Sequence, residues 1–292
     1  MNNFMQQLVN GLSLGSIYAL MALGYTMVYG IIKLINFAHG EVYMMGAFIG
    51  YLLVGQLQIG FLPSLLLTMA LCAGMGMLIE RVAYKPVRKA PRIASLITAI
   101  GVSYLLQNGM TQLMGPQVRS FPQVVKNEVY QIGSLSINKI QLIIFGTSLF
   151  LMVVLQLIIQ KTKMGKAMRA VSIDPEAAQL MGINSDTVIT FTFMLGSSLA
   201  GAAGVLVGLY YNSINPMMGY APGLKAFIAA VLGGIGIIPG AMFGGIAIGL
   251  IETLVSGYGN SMIRDAVVYG ILILILLFRP AGLLGKNVKE KV

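Results

Sequence analysis

Glu176, Ala177 and Ala178, followed after three further residues by Gly182, lie in the most polar stretch of the chain, KTKMGKAMRAVSIDPEAAQLMGIN from Lys161 to Asn184. Asp174 and Pro175 suit the start of a short helix there, as N-cap and first helical residue, and Gly182 suits its end. A short helix with a small alanine face beside Lys161, Lys163, Lys166 and Arg169 is a feature that a separate motor subunit would grip. The chain has no GxxxxGK[ST] phosphate loop. Any energy coupling is therefore expected from a partner, with no cofactor in this chain and ATP held by other subunits.

A second group of polar residues, Asn36, His39 and Glu41, interrupts an apolar stretch beside Gly40. Polar groups at membrane depth are costly and are candidates for function. Two readings stand side by side: a network that pins a broken helix, and the lining of a substrate path. A proton relay through His39 and Glu41 is a third, because histidine titrates near neutral pH. Further along, Glu252 is expected near an interface, Lys225 is expected to snorkel to the outer surface, and Arg264 and Asp265 read as interfacial anchors. With one histidine and one cysteine, a metal site or a Cys–His pair has no ligand set to draw on. Cys72 sits in an apolar run, reads as a small core residue and can form no internal disulfide.

These residues need a membrane bundle to position them. Hydrophobic residues make up 57% of the 292-residue chain and charged ones 10%, against about 25% charged in soluble domains, and mean hydropathy is +0.84. Apolar runs span approximately Leu8–Ile32, Leu34–Leu57, Phe61–Ile79, Ile93–Met114, Ile140–Ile159, Val188–Tyr211, Leu224–Val255 and Met262–Phe278. Most have the length a helix needs to cross a bilayer, too long for barrel strands. The expected fold is an all-α, polytopic membrane helix bundle of about eight or nine helices with broken or re-entrant segments, a single domain over residues 1–292 that includes the loop 161–187. The net charge of +10 is spread through short loops, as the positive-inside rule requires, and argues for lipid rather than nucleic acid as partner. MNNFMQQLVNGL lacks the basic start of a cleavable signal, so the first helix is expected to remain as an anchor.

Lys85, Arg88, Lys89 and Arg92, the basic residues of the 161–169 stretch, and Lys286, Lys289 and Lys291 in the tail are placed in the cytoplasm. The longer loop from Gly115 to Lys139 is placed outside. Parity then requires Leu224–Val255, too long for one ordinary crossing and interrupted by Gly233, Gly234, Gly236, Pro239 and Gly240, to be two shorter helices or a re-entrant hairpin. The N-terminus lies outside and the tail inside. Each half of the chain thus holds one broken segment, and transporters place their pathways at such paired breaks. YYNSINPMMGYAPG, from Tyr210 to Gly223, reads as an outer loop, either a plain connection or a face for a docking protein. Glycines four apart, such as Gly11/Gly15, Gly46/Gly50, Gly204/Gly208, Gly236/Gly240/Gly244 and Gly245/Gly249, mark tight helix contacts.

With these residues in view, the chain resembles the smaller permease of branched-chain amino acid ABC importers over nearly its whole length. The marks are GLSLGSIYALMALGYTMVYGII (Gly11 to Ile32), INFAHGEVYMMGAF (Ile35 to Phe48), IERVAYKPVR (Ile79 to Arg88), the loop MGKAMRAV…EAAQLMGIN, and INPMMGY with GLKAFIAAVLGGIGIIPGAMFGG (Gly223 to Gly245). The resemblance implies a bacterial inner-membrane assembly with a homologous second permease, two cytoplasmic ATPase subunits and an external or periplasmic binding protein. It implies import of leucine, isoleucine and valine by a subunit that is not itself an enzyme. The ATPase-gripping pattern EAA-x-x-x-G falls on Glu176, Ala177, Ala178 and Gly182, in the same loop as Gly165 and Arg169. The hydrophobic and proline residues that follow in the full motif are absent, and Thr192 stands where an isoleucine is expected. Urea or a short amide as cargo, and an ion-coupled carrier using His39 and Glu41, are the alternatives.

Overall fold

The structure, a computed structural model, describes residues 2–88, 90–133 and 135–285. Lys89 and the tail lysines Lys286, Lys289 and Lys291 lie outside the described residues. The chain forms α1 (Asn2–Ile32), α2 (His39–Gly55) and α3 (Phe61–Ile79), which runs through a π-helical turn at Glu80–Tyr84 into α4 (Lys85–Val87). Next come α5 (Arg92–Met114), strands β1 (Arg119–Ser120), β2 (Val129–Ile132) and β3 (Leu135–Asn138), and α6 (Lys139–Lys161). The second half holds α7 (Lys163–Ile173), α8 (Pro175–Leu180), α9 (Ser185–Tyr211), β4 (Ser213–Ile214), α10 (Tyr220–Gly233), α11 (Ile238–Tyr258) and α12 (Arg264–Phe278). Among the described residues, seven helical stretches are long and apolar enough to cross a membrane, and the shorter α2 and α10 pack with them. The strands are confined to connections: β2 pairs with β3, and β1 with β4.

Small residues set the packing. Gly11 and Gly15 of α1 press against Leu250, Ile246 and Gly249 of α11, and a β-carbon on Gly46 of α2 would stand 2.5 Å from Cα of Gly201 in α9. Such backbone approach replaces the hydrophobic drive that lipid does not supply between helices. α1 and α9 are buried along most of their length, whereas α5 and α12 leave most of theirs exposed.

The helix ends sort onto two faces. On one, the Gln6 side chain exchanges hydrogen bonds of 2.9 and 3.0 Å with the Ser136 backbone of β3, and Gln7 meets Gly257 near the end of α11. On the other, Lys33 after α1, Arg169 of α7, Gly236 before α11 and Pro280 after α12 line one cavity of about 530 Å³. The start of the chain and the end of α12 therefore lie on opposite faces. The second face carries the basic loops, the side that the positive-inside rule assigns to the cytoplasm.

The expected split of Leu224–Val255 is present, with α10 and α11 joined by a turn in which Gly234 and Gly236 adopt φ of 107° and 91° and Pro239 opens α11. α11 is a full crossing and α10 a half-length helix, so the pair is not a shallow re-entrant hairpin. The expected Leu34–Leu57 segment is helical only from His39. Lys33 takes a left-handed φ of 54°, and the Asn36 side chain accepts the Ala38 N–H at 3.1 Å, a local bond that competes with helix. The break thus lies at the start of α2 rather than within it.

Candidate coupling element and transport route

The elbow between α6 and α9 is built by capping. Thr162 Oγ1 accepts the Gly165 N–H at 3.0 Å and opens α7. Gly165 is buried against the last carbonyls of α6, where a β-carbon would collide with the Ile158 and Ile159 oxygens. The Arg169 guanidinium donates to the Ile159 carbonyl, which favours a cation at a helix C-terminus. Asp174 Oδ1 then accepts from both Glu176 N and Ala177 N at 2.9 Å, with Pro175 at the first turn. At the other end Ile183 N donates to Ala178 O and Gly182 N to Gln179 O, and Gly182 has φ of 82°. This is a Schellman closure.

Within α8, Ala178 is buried, whereas Glu176 and Ala177 face solvent. Leu180 of α8 and its neighbours Ile173 and Met181 are 89%, 85% and 82% exposed. A soluble-facing helix this short gains nothing from displaying three large apolar side chains unless another surface covers them. The elbow continues into α9, whose N-cap Asn184 accepts the Thr187 N–H at 3.1 Å. In the first turn of α9, Asp186 binds Lys85 at 2.8 Å and Arg88 at 2.6 Å. Arg88 also pairs with the buried Glu80, which accepts from Thr190 Oγ1 at 2.8 Å. The foot of α3 is thereby fastened to the foot of α9.

The broken segment places its three polar residues in different settings. Asn36 is buried and accepts from Tyr84 Oη at 2.9 Å as well as from Ala38 N. His39 is buried against Gly24, about two helical turns above the cytoplasmic end of α1, with its ring edge-on to Tyr25 at 4.7 Å. Of the three, Glu41 lines a cavity of about 390 Å³, shared with Tyr25, Ser103, Gln107, Leu96 and Tyr220. Ser103 Oγ reaches Glu41 Oε1 at 3.4 Å, and Oε2 has no partner among the described residues. Gly219 stands over this carboxylate, and Gly223 lies against Gly40. The first turns of α2 and α10 therefore cross inside the bundle, pointing to opposite faces. The break that meets the Asn36–Glu41 break is the irregular stretch before α10, not the Gly233–Gly240 turn that the glycine count suggests. Two helix N-termini flank the Glu41 cavity, each contributing partial positive charge.

A family model described as branched-chain amino acid transport system / permease component matches residues 7–277. The chain belongs to this permease family. It is 45% identical over 302 residues to the high-affinity branched-chain amino acid transport system permease protein LivH of Salmonella typhimurium, covering 99% of this chain and 98% of that one. It is 44% identical to BraD of Pseudomonas aeruginosa with the same coverage, and 30% identical to a probable LivH of Methanocaldococcus jannaschii over 94% of this chain and 90% of that one. No solved structure matches.

In the outer half of this permease Lys225 does not snorkel. It is 4% exposed, and its Nζ lies 2.8 Å from Glu252 Oε1 and 2.8 Å from Asp265 Oδ1. Tyr18 Oη donates to Glu252 Oε2 at 2.8 Å. Glu252, expected near an interface, is buried, and Arg264 and Asp265 join the same cluster. The energetic reason is that a lysine pointed inward from α10 meets two carboxylates there. Sequence reasoning noted each charge singly; the signal that could have joined them is that opposite charges at membrane depth pair.

Proposed function

We propose that this chain is the membrane-spanning permease subunit of an ATP-driven importer that moves branched-chain amino acids into the cytoplasm across a bacterial inner membrane. The likeness to branched-chain amino acid permeases along 99% of the chain carries the reading. Its partners are a homologous second permease, two cytoplasmic ATPase subunits that bind the ATP, and an external substrate-binding protein. Urea or short amides as cargo, and an ion-coupled carrier, receive no comparable support.

On this reading α8 seats in a cleft of the ATPase through Ile173, Leu180 and Met181, with Ala177 allowing close approach. ATPase closure pulls α8, and the Asp186–Arg88–Glu80 ties carry the displacement into α9 and α3 together. α9 packs along α2 through Gly46 and Gly201, so the crossing of α2 with α10 moves and the Glu41 cavity changes the side on which it opens. Glu41 touches the passing substrate, while Asn36 and His39 hold the break open. The route has polar groups yet no unopposed cation that would trap a zwitterion. Reconstitution of the permease pair, ATPases and binding protein in proteoliposomes tests the reading: leucine should accumulate only with ATP on the ATPase side.

A further inference from the structure

We propose that the charge cluster in the outer half of the bundle is an amino-acid acceptor site, in which Arg264 takes the α-carboxylate and Asp265 the α-ammonium of an incoming zwitterion. The identity of the side chain it accommodates rests on the branched-chain reading; recognition of the zwitterion does not.

Four helices separated in sequence converge there: Tyr18 from α1, Lys225 from α10, Glu252 from α11, and Arg264 and Asp265 from α12. Glu252 lies less than two turns from the outer end of α11. Two cations face two anions, so the cluster is neutral and costs less to bury than any one of its charges. A purely structural pin would need only the inner pair. Lys225 and Glu252 form that pair, and both Glu252 oxygens are engaged, one by Lys225 and one by Tyr18.

The outer pair is different. Arg264 and Asp265 side chains are 40% and 45% exposed and stand at the mouth of a cavity of about 320 Å³. Arg264 Nε is shielded from solvent and makes no aligned hydrogen bond among the described residues, lying 3.4 Å from Glu252 Oε1 and 3.3 Å from Asp265 Oδ1. Asp265 Oδ1 is held 2.8 Å from Lys225 Nζ, so an incoming ammonium would share this half-exposed carboxylate through its other oxygen, Oδ2. Both ion pairs of Arg264 run through Nε, which leaves the terminal guanidinium nitrogens for a ligand. A planar donor fork and an acceptor carboxylate side by side match the two ends of a free amino acid. Leu14, Tyr43, Val207, Met218 and Pro222 line the same cavity and offer an apolar wall for an aliphatic side chain. The α10 N-terminus separates this cavity from the Glu41 cavity: Pro222 and Lys225 face one, Gly223 and Leu224 the other. Only the start of α10 separates a substrate held here from the proposed route.

The test is saturation-transfer NMR on the complete transporter complex in nanodiscs without binding protein, with L-leucine, 4-methylpentanoate and isopentylamine as probes. The expected result is transfer to leucine and little to either singly charged analogue. Arg264→Gln with Asp265→Asn should weaken leucine binding by about tenfold or more, the worth of charged hydrogen bonds, and Arg264→Lys with Asp265→Glu should restore part of it. Equal binding by the Gln/Asn variant and the native complex overturns the site, as does absence of zwitterion binding to the native complex. If the native complex binds glycine or serine in preference to leucine and the Gln/Asn variant loses that binding, the site stands and the branched-chain reading fails.

Discussion

Gly40 and Gly219 approach so closely that a β-carbon on Gly219 would stand 2.6 Å from the Gly40 carbonyl oxygen. Neither residue has a left-handed backbone, so closeness alone demands glycine. The contact joins the starts of two helices that leave the crossing toward opposite faces, and the unpartnered oxygen of Glu41 lies beside it.

Gly219→Val therefore forces α2 and α10 apart or displaces Glu41. Overpacking of this kind costs about 1–3 kcal/mol. The variant should insert and bind ATPase yet inactivate at a lower temperature in detergent and lose most transport. Native heat resistance with native uptake would show that the crossing tolerates separation.

The Glu41 cavity predicts a pattern of water access. In a Cys72→Ala background, which removes the chain's one cysteine, Ser103→Cys should react with a membrane-impermeant thiol reagent in at least one state of the ATP cycle, and substrate should slow the reaction. A cysteine there that stays unreactive in every state removes this cavity from the route.

The buried pair Lys225–Glu252 predicts non-additive damage. Lys225→Met leaves Glu252 buried opposite Asp265 without its main cation, a loss on the order of 3–5 kcal/mol. Adding Glu252→Gln should recover part of the heat resistance, because no isolated charge remains inside. Equal or greater loss in the double variant would contradict the pairing.

Much of this architecture was legible along the chain because its causes are local. Hydropathy marks the crossings, Asp174–Pro175 and Gly182 mark both ends of α8, and the glycines and Pro239 mark the turn between α10 and α11. What was not legible depends on residues far apart in sequence. Tyr18 and Glu252 are 234 positions apart, and nothing around either names the other. The partner of the Asn36–Glu41 break is hidden in the sequence for the same reason: the Gly233–Gly240 turn is richer in glycine, but Gly219 and Gly223 are what α2 meets. The exposed faces of Ile173, Leu180 and Met181 also required the fold, since apolar residues in a membrane protein's sequence do not declare which solvent they see.

The faces assigned to the helix ends predict opposite labelling. With Cys72→Ala, Met5→Cys should react from outside intact cells and Ile173→Cys only after the cytoplasm is opened. Reaction of both from the same side would contradict the single crossing of α1 and the parity built on it.

The central claim is that α8 transmits ATP hydrolysis to the route. ATP-dependent leucine uptake by proteoliposomes holding the complete complex, native or with Leu180→Asp and Met181→Asp, measures it most directly. These two side chains make no contribution to the bundle interior, so the variant should insert normally, release the ATPase on gel filtration and lose at least about tenfold in uptake, in line with loss of central apolar anchors at an interface. Uptake and ATPase retention equal to native in that variant, or leucine accumulation without ATP, would contradict the account.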